Sequence, residues 1–289
     1  MNLCDISQIR ALLARHGFRF SKSMGQNFLI ADWVPREIAN ASGACAEVGV
    51  LEVGPGIGCL TRELAARARD TVAVELDRSL LPILAETLAD SPYGEDVRVI
   101  SGDILKMDIP RLVDEHLAPY FEHVACGNLP YNITTPAITA LIDSDRFSII
   151  TVMVQREVAR RICAQPGGKD YGAFSVYCQY YTRPELLFEV PPECFIPTPK
   201  VTSAVVRMVH RPAPEEADDP EHFFKVVRAS FALRRKTLLN SLSAGLSGQY
   251  AKEDVARAIE RCGFPPDIRG ERLSIPQFAQ LSRALRGIV

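Results

Sequence analysis

The sequence predicts an α/β fold: a mostly parallel sheet with helices on both faces, followed by a small all-helical domain. Three observations carry this. From about residue 48, short β-rich apolar runs alternate with helical stretches, the pattern left by strand–helix–strand crossovers. A proline-rich acidic stretch, Arg211–Pro220, then interrupts the pattern and reads as a linker. Beyond it the periodicity is helical to the end. The boundary is placed at 210. Residues 1–210, with a helical extension over 1–46, form one domain and 211–289 the other.

In order, Ile6–His16 and Asp32–Ala41 read as helices, the second with Asp32 as its cap. Val48–Val53 is an apolar strand ending in a glycine turn. Ile57–Ala68 is a helix, Thr71–Leu76 a strand and Ser79–Ala89 a helix. Val97–Ser101, His123–Cys126 and Phe147–Val154 are further strands. Arg156–Ala164 and Ala173–Tyr181 are helical, and Leu186–Val190 with Ser203–His210 form a closing strand pair. After the linker come helices over Glu221–Ala232, Arg235–Ala244, Glu253–Arg261 and Ile275–Arg286.

The chain has 289 residues and is 47% hydrophobic, enough for one large core and one small one. No apolar run reaches bilayer length, so no membrane association is expected. Met1–Lys22 alternates apolar and basic residues as a transit peptide does, but it carries Asp5 and runs almost directly into a motif, which disfavours that reading. Eight scattered cysteines without a C-x-x-C pair point to free thiols in a reducing cytoplasm. Five histidines without ligand spacing give no reason to expect a metal. Net charge is −2, but it is unevenly spread. Residues 1–210 hold 20 basic and 25 acidic side chains, whereas 211–289 hold 13 and 10. Between His222 and Lys252 there is no acidic residue. A local basic surface of this kind suits phosphates as well as it suits plain solvation.

Leu51-Glu-Val-Gly-Pro-Gly-Ile-Gly58 is a strand running into a turn that only glycine follows easily. A dinucleotide fingerprint would put its third glycine at position 59, which is Cys59. Gly54-x-Gly56-x-Gly58 instead has the spacing of the loop that lies against the methionine end of S-adenosylmethionine. Glu75 ends the next strand, 21 residues after Gly54, where an acid hydrogen-bonds unphosphorylated ribose hydroxyls. Asp103 follows the third strand and is placed to accept from an adenine amine. Each has an ordinary structural alternative. Their position at consecutive strand ends, where doubly wound sheets bind ligands, favours a nucleoside cofactor. Hydride transfer and methyl transfer both remain open at this point.

Asn128-Leu-Pro-Tyr131 closes the fourth strand. An adenine amine is a poor nucleophile because its lone pair is delocalised into the ring. Two acceptors on its hydrogens, the Asn128 side-chain oxygen and the Leu129 carbonyl, would draw the nitrogen towards tetrahedral geometry and favour charge developing there. Pro130 stiffens the turn, and Tyr131 offers a face on which a base stacks. A target base must be unstacked to enter such a site, and Phe195, in Phe195-Ile-Pro-Thr-Pro-Lys-Val-Thr-Ser203, is the candidate second face. Lys200 in that segment is placed to meet a phosphate.

Taken together, Gly25-Gln-Asn-Phe-Leu29, the Gly54–Gly58 loop, Asn128-Leu-Pro-Tyr131 and Phe195-x-Pro-x-Pro-Lys-Val201 resemble, in this order, the ribosomal RNA adenine dimethyltransferases. Leu129 and the Phe231–Ser241 stretch resemble the KsgA/RsmA branch, which dimethylates two adjacent adenosines in the 3′-terminal hairpin loop of 16S rRNA late in small-subunit assembly. The resemblance implies a Rossmann-like class I methyltransferase domain with a mostly parallel seven-stranded sheet and an S-adenosyl-L-methionine cofactor. It also implies an rRNA substrate in the immature small subunit, and a monomer is expected. The implied cofactor residues are Gln26, Asn27, Leu29, Gly54, Gly56, Glu75, Leu76, Asp103, Ile104 and Asn128. The catalytic group is Asn128, Leu129, Pro130, Tyr131 and Phe195, and the RNA-binding group Lys200, Arg228, Arg234, Arg235 and Lys236. An Erm-type 23S rRNA methyltransferase, a noncatalytic assembly factor and a dehydrogenase are the alternatives. The Asn-Leu-Pro-Tyr turn and Cys59 weigh against the last.

Overall fold

The computed structural model describes residues 1–20, 25–214 and 217–288. Ser21–Met24, just before the Gly25–Leu29 motif, lie outside the described residues, as do Glu215 and Glu216 of the expected linker. The chain divides into two compact units, residues 1–159 with 185–210, and residues 160–184 with 211–289.

The first unit opens with helix α1 (Ile6–Arg15), where the Asp5 carboxylate accepts from the backbone of Ser7 and Gln8. A two-residue strand, β1 (Phe28–Leu29), and helix α2 (Trp33–Ala41) follow. Asp32 precedes α2 but makes no capping bond. Its backbone is already helical, and its carboxylate lies 3.4 Å from Arg36 instead. Next come β2 (Val48–Val53), α3 (Cys59–Ala65), β3 (Thr71–Glu75), α4 (Leu81–Ala89), β4 (Val97–Ser101), α5 (Ile109–His116), β5 (Glu122–Asn128), α6 (Thr134–Asp143) and β6 (Ile149–Gln155). Helix α7 (Arg156–Cys163) carries the boundary between the units. Helix α8 (Ala173–Tyr181) precedes β7 (Thr182–Val190), β8 (Phe195–Ile196) and β9 (Ser203–His210).

Seven strands form one sheet in the order β4-β3-β2-β5-β6-β9-β7. β2 to β6 run parallel, and β9 is antiparallel to β6. The order reverses between β2 and β5, the kind of switch point at which such sheets take ligands. Buried on both faces, β2 and β3 read as near-continuous apolar runs.

Helices α5 and α6 carry no expectation from the sequence. α5 is capped by Asp108, which accepts from Arg111 at 3.0 Å, and buries Ile109, Leu112 and Val113. α6 contains Thr134, Thr135, Pro136 and Thr139, poor helix formers. Burial of Ala137, Ile138, Leu141 and Ile142 overrides that weak preference.

The second unit holds α9 (Pro220–Ala232), α10 (Leu238–Gly245), α11 (Lys252–Arg261) and α12 (Ile275–Arg286). Its core joins Tyr171, Val176 and Tyr180 to Phe223, Val226 and Phe278. The single boundary expected at 210 therefore differs from the structure, because residues 160–184 supply aromatic bulk to the helical core. Helix α10 begins at Leu238, not Arg235. The Thr237 hydroxyl accepts from Asn240 and starts the helix there, leaving Arg234-Arg-Lys236 in a turn.

Candidate active site

One cavity opens at the ends of β2, β3 and β5 and beside the turn after β4. Its empty volume, including open solvent at the mouth, is about 1000 Å³. Gln26, Asn27, Leu29, Gly54, Gly56, Glu75, Leu76, Asp103, Ile104 and the whole Asn128–Tyr131 turn line it.

The glycine loop is set by its left-handed backbone and, at Gly56, by a close neighbour. Gly54, Gly56 and Gly58 all have positive φ, and a Cβ at Gly56 would lie 3.3 Å from the Phe28 ring. The Gly56 N–H donates to Glu75 Oε2 at 3.1 Å, and the Asp77 N–H to Oε1 at 2.8 Å. Glu75 thus clamps the loop from β3, with acceptor capacity left on both oxygens for hydroxyl donors. Burial pushes its carboxyl pKa up, against the pull of those two N–H bonds. Gln26 is fixed across the cavity by donating to Asp77 Oδ2 at 2.6 Å. Leu76 is 47% exposed and Ile104 is buried, so the cavity also has an apolar wall beside Asp103. Asp103 accepts from the Leu105 N–H at 3.1 Å, which fixes its carboxylate at the start of a short 3-10 turn.

The Asn128–Tyr131 turn is braced from three sides. The Leu129 N–H donates to the Met153 carbonyl at 3.2 Å, and the Pro130 carbonyl accepts from Ile133 N–H and the Thr134 hydroxyl. The Asn128 Nδ2 donates to the Asn27 carbonyl at 3.1 Å. Because a carbonyl only accepts, this bond fixes which way the amide points and leaves Oδ1 as the acceptor for the site. Among the described residues, no backbone hydrogen bond of the turn ends on the Leu129 carbonyl. Gly25, with φ of 63°, lies over the turn, and a Cβ there would be 3.7 Å from Pro130. The Tyr131 hydroxyl is 2.8 Å from Ser203 Oγ.

Sequence reasoning missed Glu52. It is the next-to-last residue of β2, 1% exposed, and lines the cavity. Neither carboxylate oxygen has a hydrogen-bond partner, and the buried Thr61 hydroxyl has none either. Burial pushes the Glu52 pKa to about 8. The Glu75 charge adds to the shift, and Thr61, close but outside hydrogen-bonding geometry, offsets only part of it. The available signal was a charge inside an otherwise apolar strand. The glycine cradle fits a ligand whose chain approaches backbone closely, and Glu75 keeps acceptors free for hydroxyls. Cavity, acid and cradle together suit a nucleoside joined to an amino acid.

Phe195 is a correction. β8 pairs antiparallel with β1, placing Phe195 opposite Leu29. Its ring is 2% exposed, inside a cluster with Leu29, Val34 and Val205, and does not line the cavity. Hydrophobic burial takes the ring that the sequence assigns to a target base. Lys200 is exposed in the segment between β8 and β9, and Arg228, Arg234, Arg235 and Lys236 are exposed in the helical unit. Among the described residues, no cluster of three or more His, Cys, Asp or Glu side chains has the arrangement of a metal site. All eight cysteines are free, and among the described residues no helix is long and apolar enough to cross a membrane.

A family model described as ribosomal RNA adenine dimethylase matches residues 17–261. The chain is 48% identical over 280 residues to ribosomal RNA small subunit methyltransferase A of Geobacillus thermodenitrificans (strain NG80-2), covering 96% of this chain and 94% of that one. It is 44% identical over 291 residues to the protein of the same name from Streptococcus pneumoniae (strain P1031), covering 99% of each. Among solved structures, the 23S rRNA methyltransferase ErmE is similar with a TM-score of 0.66 and 27% identity, over 90% of this chain and 99% of that one. A dimethyladenosine transferase from Plasmodium falciparum shares the fold with a TM-score of 0.70, at 22% identity over 88% and 95% of the two chains.

Proposed function

The chain belongs to the ribosomal RNA adenine dimethylase family, and from that premise we propose that it dimethylates N6 of two adjacent adenosines in the 3′-terminal hairpin loop of 16S rRNA. The setting proposed is the cytoplasm, and the substrate form is the immature small subunit, met by a monomer. Greater identity to the small-subunit relatives than to ErmE supports 16S over 23S rRNA. The observation that carries the catalytic reading is the Asn128 amide, turned by the Asn27 carbonyl so that an acceptor faces the cavity.

S-adenosyl-L-methionine is the cofactor, and it supplies an electrophilic methyl group when bound. Gly54 and Gly56 admit its amino-acid end. Glu75 accepts from ribose hydroxyls and Asp103 from the adenine amine, with Leu76 and Ile104 against the base. The target adenine stacks on Tyr131. Asn128 Oδ1 and the Leu129 carbonyl accept from the two N–H groups of its amine, localising the nitrogen lone pair. Both acceptors favour positive charge on that nitrogen, so the turn works by alignment and electrostatics without a strong base.

The test is incubation with small subunits lacking the modification and a tritiated methyl donor, followed by mapping of the methylated adenosines. Dimethyladenosine at two adjacent positions of the 3′-terminal hairpin loop is expected. Asn128→Ala should abolish turnover yet leave cofactor affinity within about tenfold, since the lost interaction serves mainly the transition state. Label in 23S rRNA would move the substrate to the large subunit. Tight binding without incorporation would leave only an assembly role.

A further inference from the structure

The Phe195–Ser203 segment reaches the candidate target pocket through its last residue, not its first. Phe195 is in the core, but Ser203 begins β9 fully buried, with its hydroxyl 2.8 Å from the Tyr131 phenol. The backbone around Ser203 is fixed on β6: Ser203 pairs with Gln155, and the neighbouring Thr202 carbonyl accepts from Arg156 N–H at 3.0 Å. At its other end Tyr131 is fixed by the turn, where Pro130 restricts the backbone and its carbonyl closes onto Ile133. A tyrosine ring turns about two side-chain torsions. The hydroxyl lies on the axis of the second torsion, so a ring held at Cα by the turn and at the hydroxyl by a buried serine keeps the direction of that axis.

We propose that Ser203 is a positioning residue for the target base: by holding the Tyr131 hydroxyl, it fixes the axis of the ring on which the adenine stacks. This rests on the reading that Tyr131 stacks the target. It gives the segment after β8 a task at the pocket that its buried aromatic does not perform. The hydroxyl itself touches neither cofactor nor base, and acts by limiting the orientations in which a flipped base finds a flat partner.

Ser203→Ala and Tyr131→Phe remove the same hydrogen bond from opposite ends, the second without touching β9. Kinetics on unmodified small subunits should show kcat/KM lowered about three- to tenfold by each, the size of one neutral hydrogen bond. Cofactor Kd by calorimetry should stay within about twofold, which a collapsed pocket would not allow. The double variant should be no worse than the poorer single variant within about twofold, because both act on one contact. Tyr131→Ala, which removes the stacking face, should lose at least about tenfold. Wild-type turnover by Tyr131→Ala overturns the stacking reading and the inference with it. A crippled Tyr131→Ala beside wild-type Ser203→Ala and Tyr131→Phe overturns the inference alone, as do losses that multiply in the double variant. If Ser203→Ala fails to fold, Tyr131→Phe decides the matter by itself.

Discussion

A carboxylic acid inside an apolar strand must either find a partner or give up its charge. Glu52 has no partner among the described residues, and its pKa of about 8 means that it is neutral at neutral pH. The unfolded chain titrates this group in the ordinary range, near 4.5. Between those values the native state binds more protons than the unfolded one, so stability falls as pH rises from about 4.5 through about 8. The whole effect is bounded at about 5 kcal/mol, from the free energy of one pKa unit. Melting curves from pH 5 to 9 should therefore fall more steeply for the wild type than for Glu52→Gln, by several degrees across the window. Parallel curves would return Glu52 to a charged, solvated state. The sequence shows that a glutamate interrupts an apolar run. It does not show that both oxygens are sealed from water.

At the level of elements, the site depends on how closely β5 approaches β2. Gly127 stands one residue before Asn128, and a Cβ there would lie 2.6 Å from the Val53 carbonyl and 3.2 Å from the Leu129 side chain. Backbone meets that atom on one side, so Gly127→Ala forces the two strands apart where they carry the glycine loop and the Asn128 turn. We expect a loss of about 1–3 kcal/mol in urea unfolding, in the range of overpacked cores, together with weaker cofactor binding. Unchanged stability would mean that the strands relax freely. The strands that feed the cavity are legible because burial on both faces writes continuous apolar runs. α6 is not legible, because threonines and a proline contradict the state that its buried face selects.

Across the whole molecule, charge is divided between the acidic N-terminal part and the basic helices. Arg235 is exposed in the turn between α9 and α10, whereas Arg234 donates to the Lys169 carbonyl and lies 3.9 Å from Glu271. Arg235→Glu is therefore the cleaner probe of RNA contact. It should weaken binding to the small subunit and reduce the slope of log K against log salt by about one, the signature of one lost phosphate contact. An unchanged slope would make that turn an ordinary solvated surface. The limits of the helical unit were hidden, because Pro-rich linker chemistry marks where the chain is exposed. It does not mark residues 160–184, whose aromatic side chains complete the same core.

The sequence by itself determined the parallel sheet and the residues at its strand ends that line one cavity: the glycine loop, Glu75, Asp103 and Asn128–Tyr131. These are local facts. A turn that needs positive φ, an acid ending an apolar strand and an Asn-x-Pro turn are each written in a few consecutive residues. Only the tertiary structure decided that Glu52 is sealed in the cavity wall, that Asn27 turns the Asn128 amide, that Phe195 is core and that Ser203 reaches Tyr131. Each of these joins residues from separate parts of the chain, or depends on which atoms water no longer reaches. Burial and orientation belong to the packed molecule, and a linear pattern does not contain them.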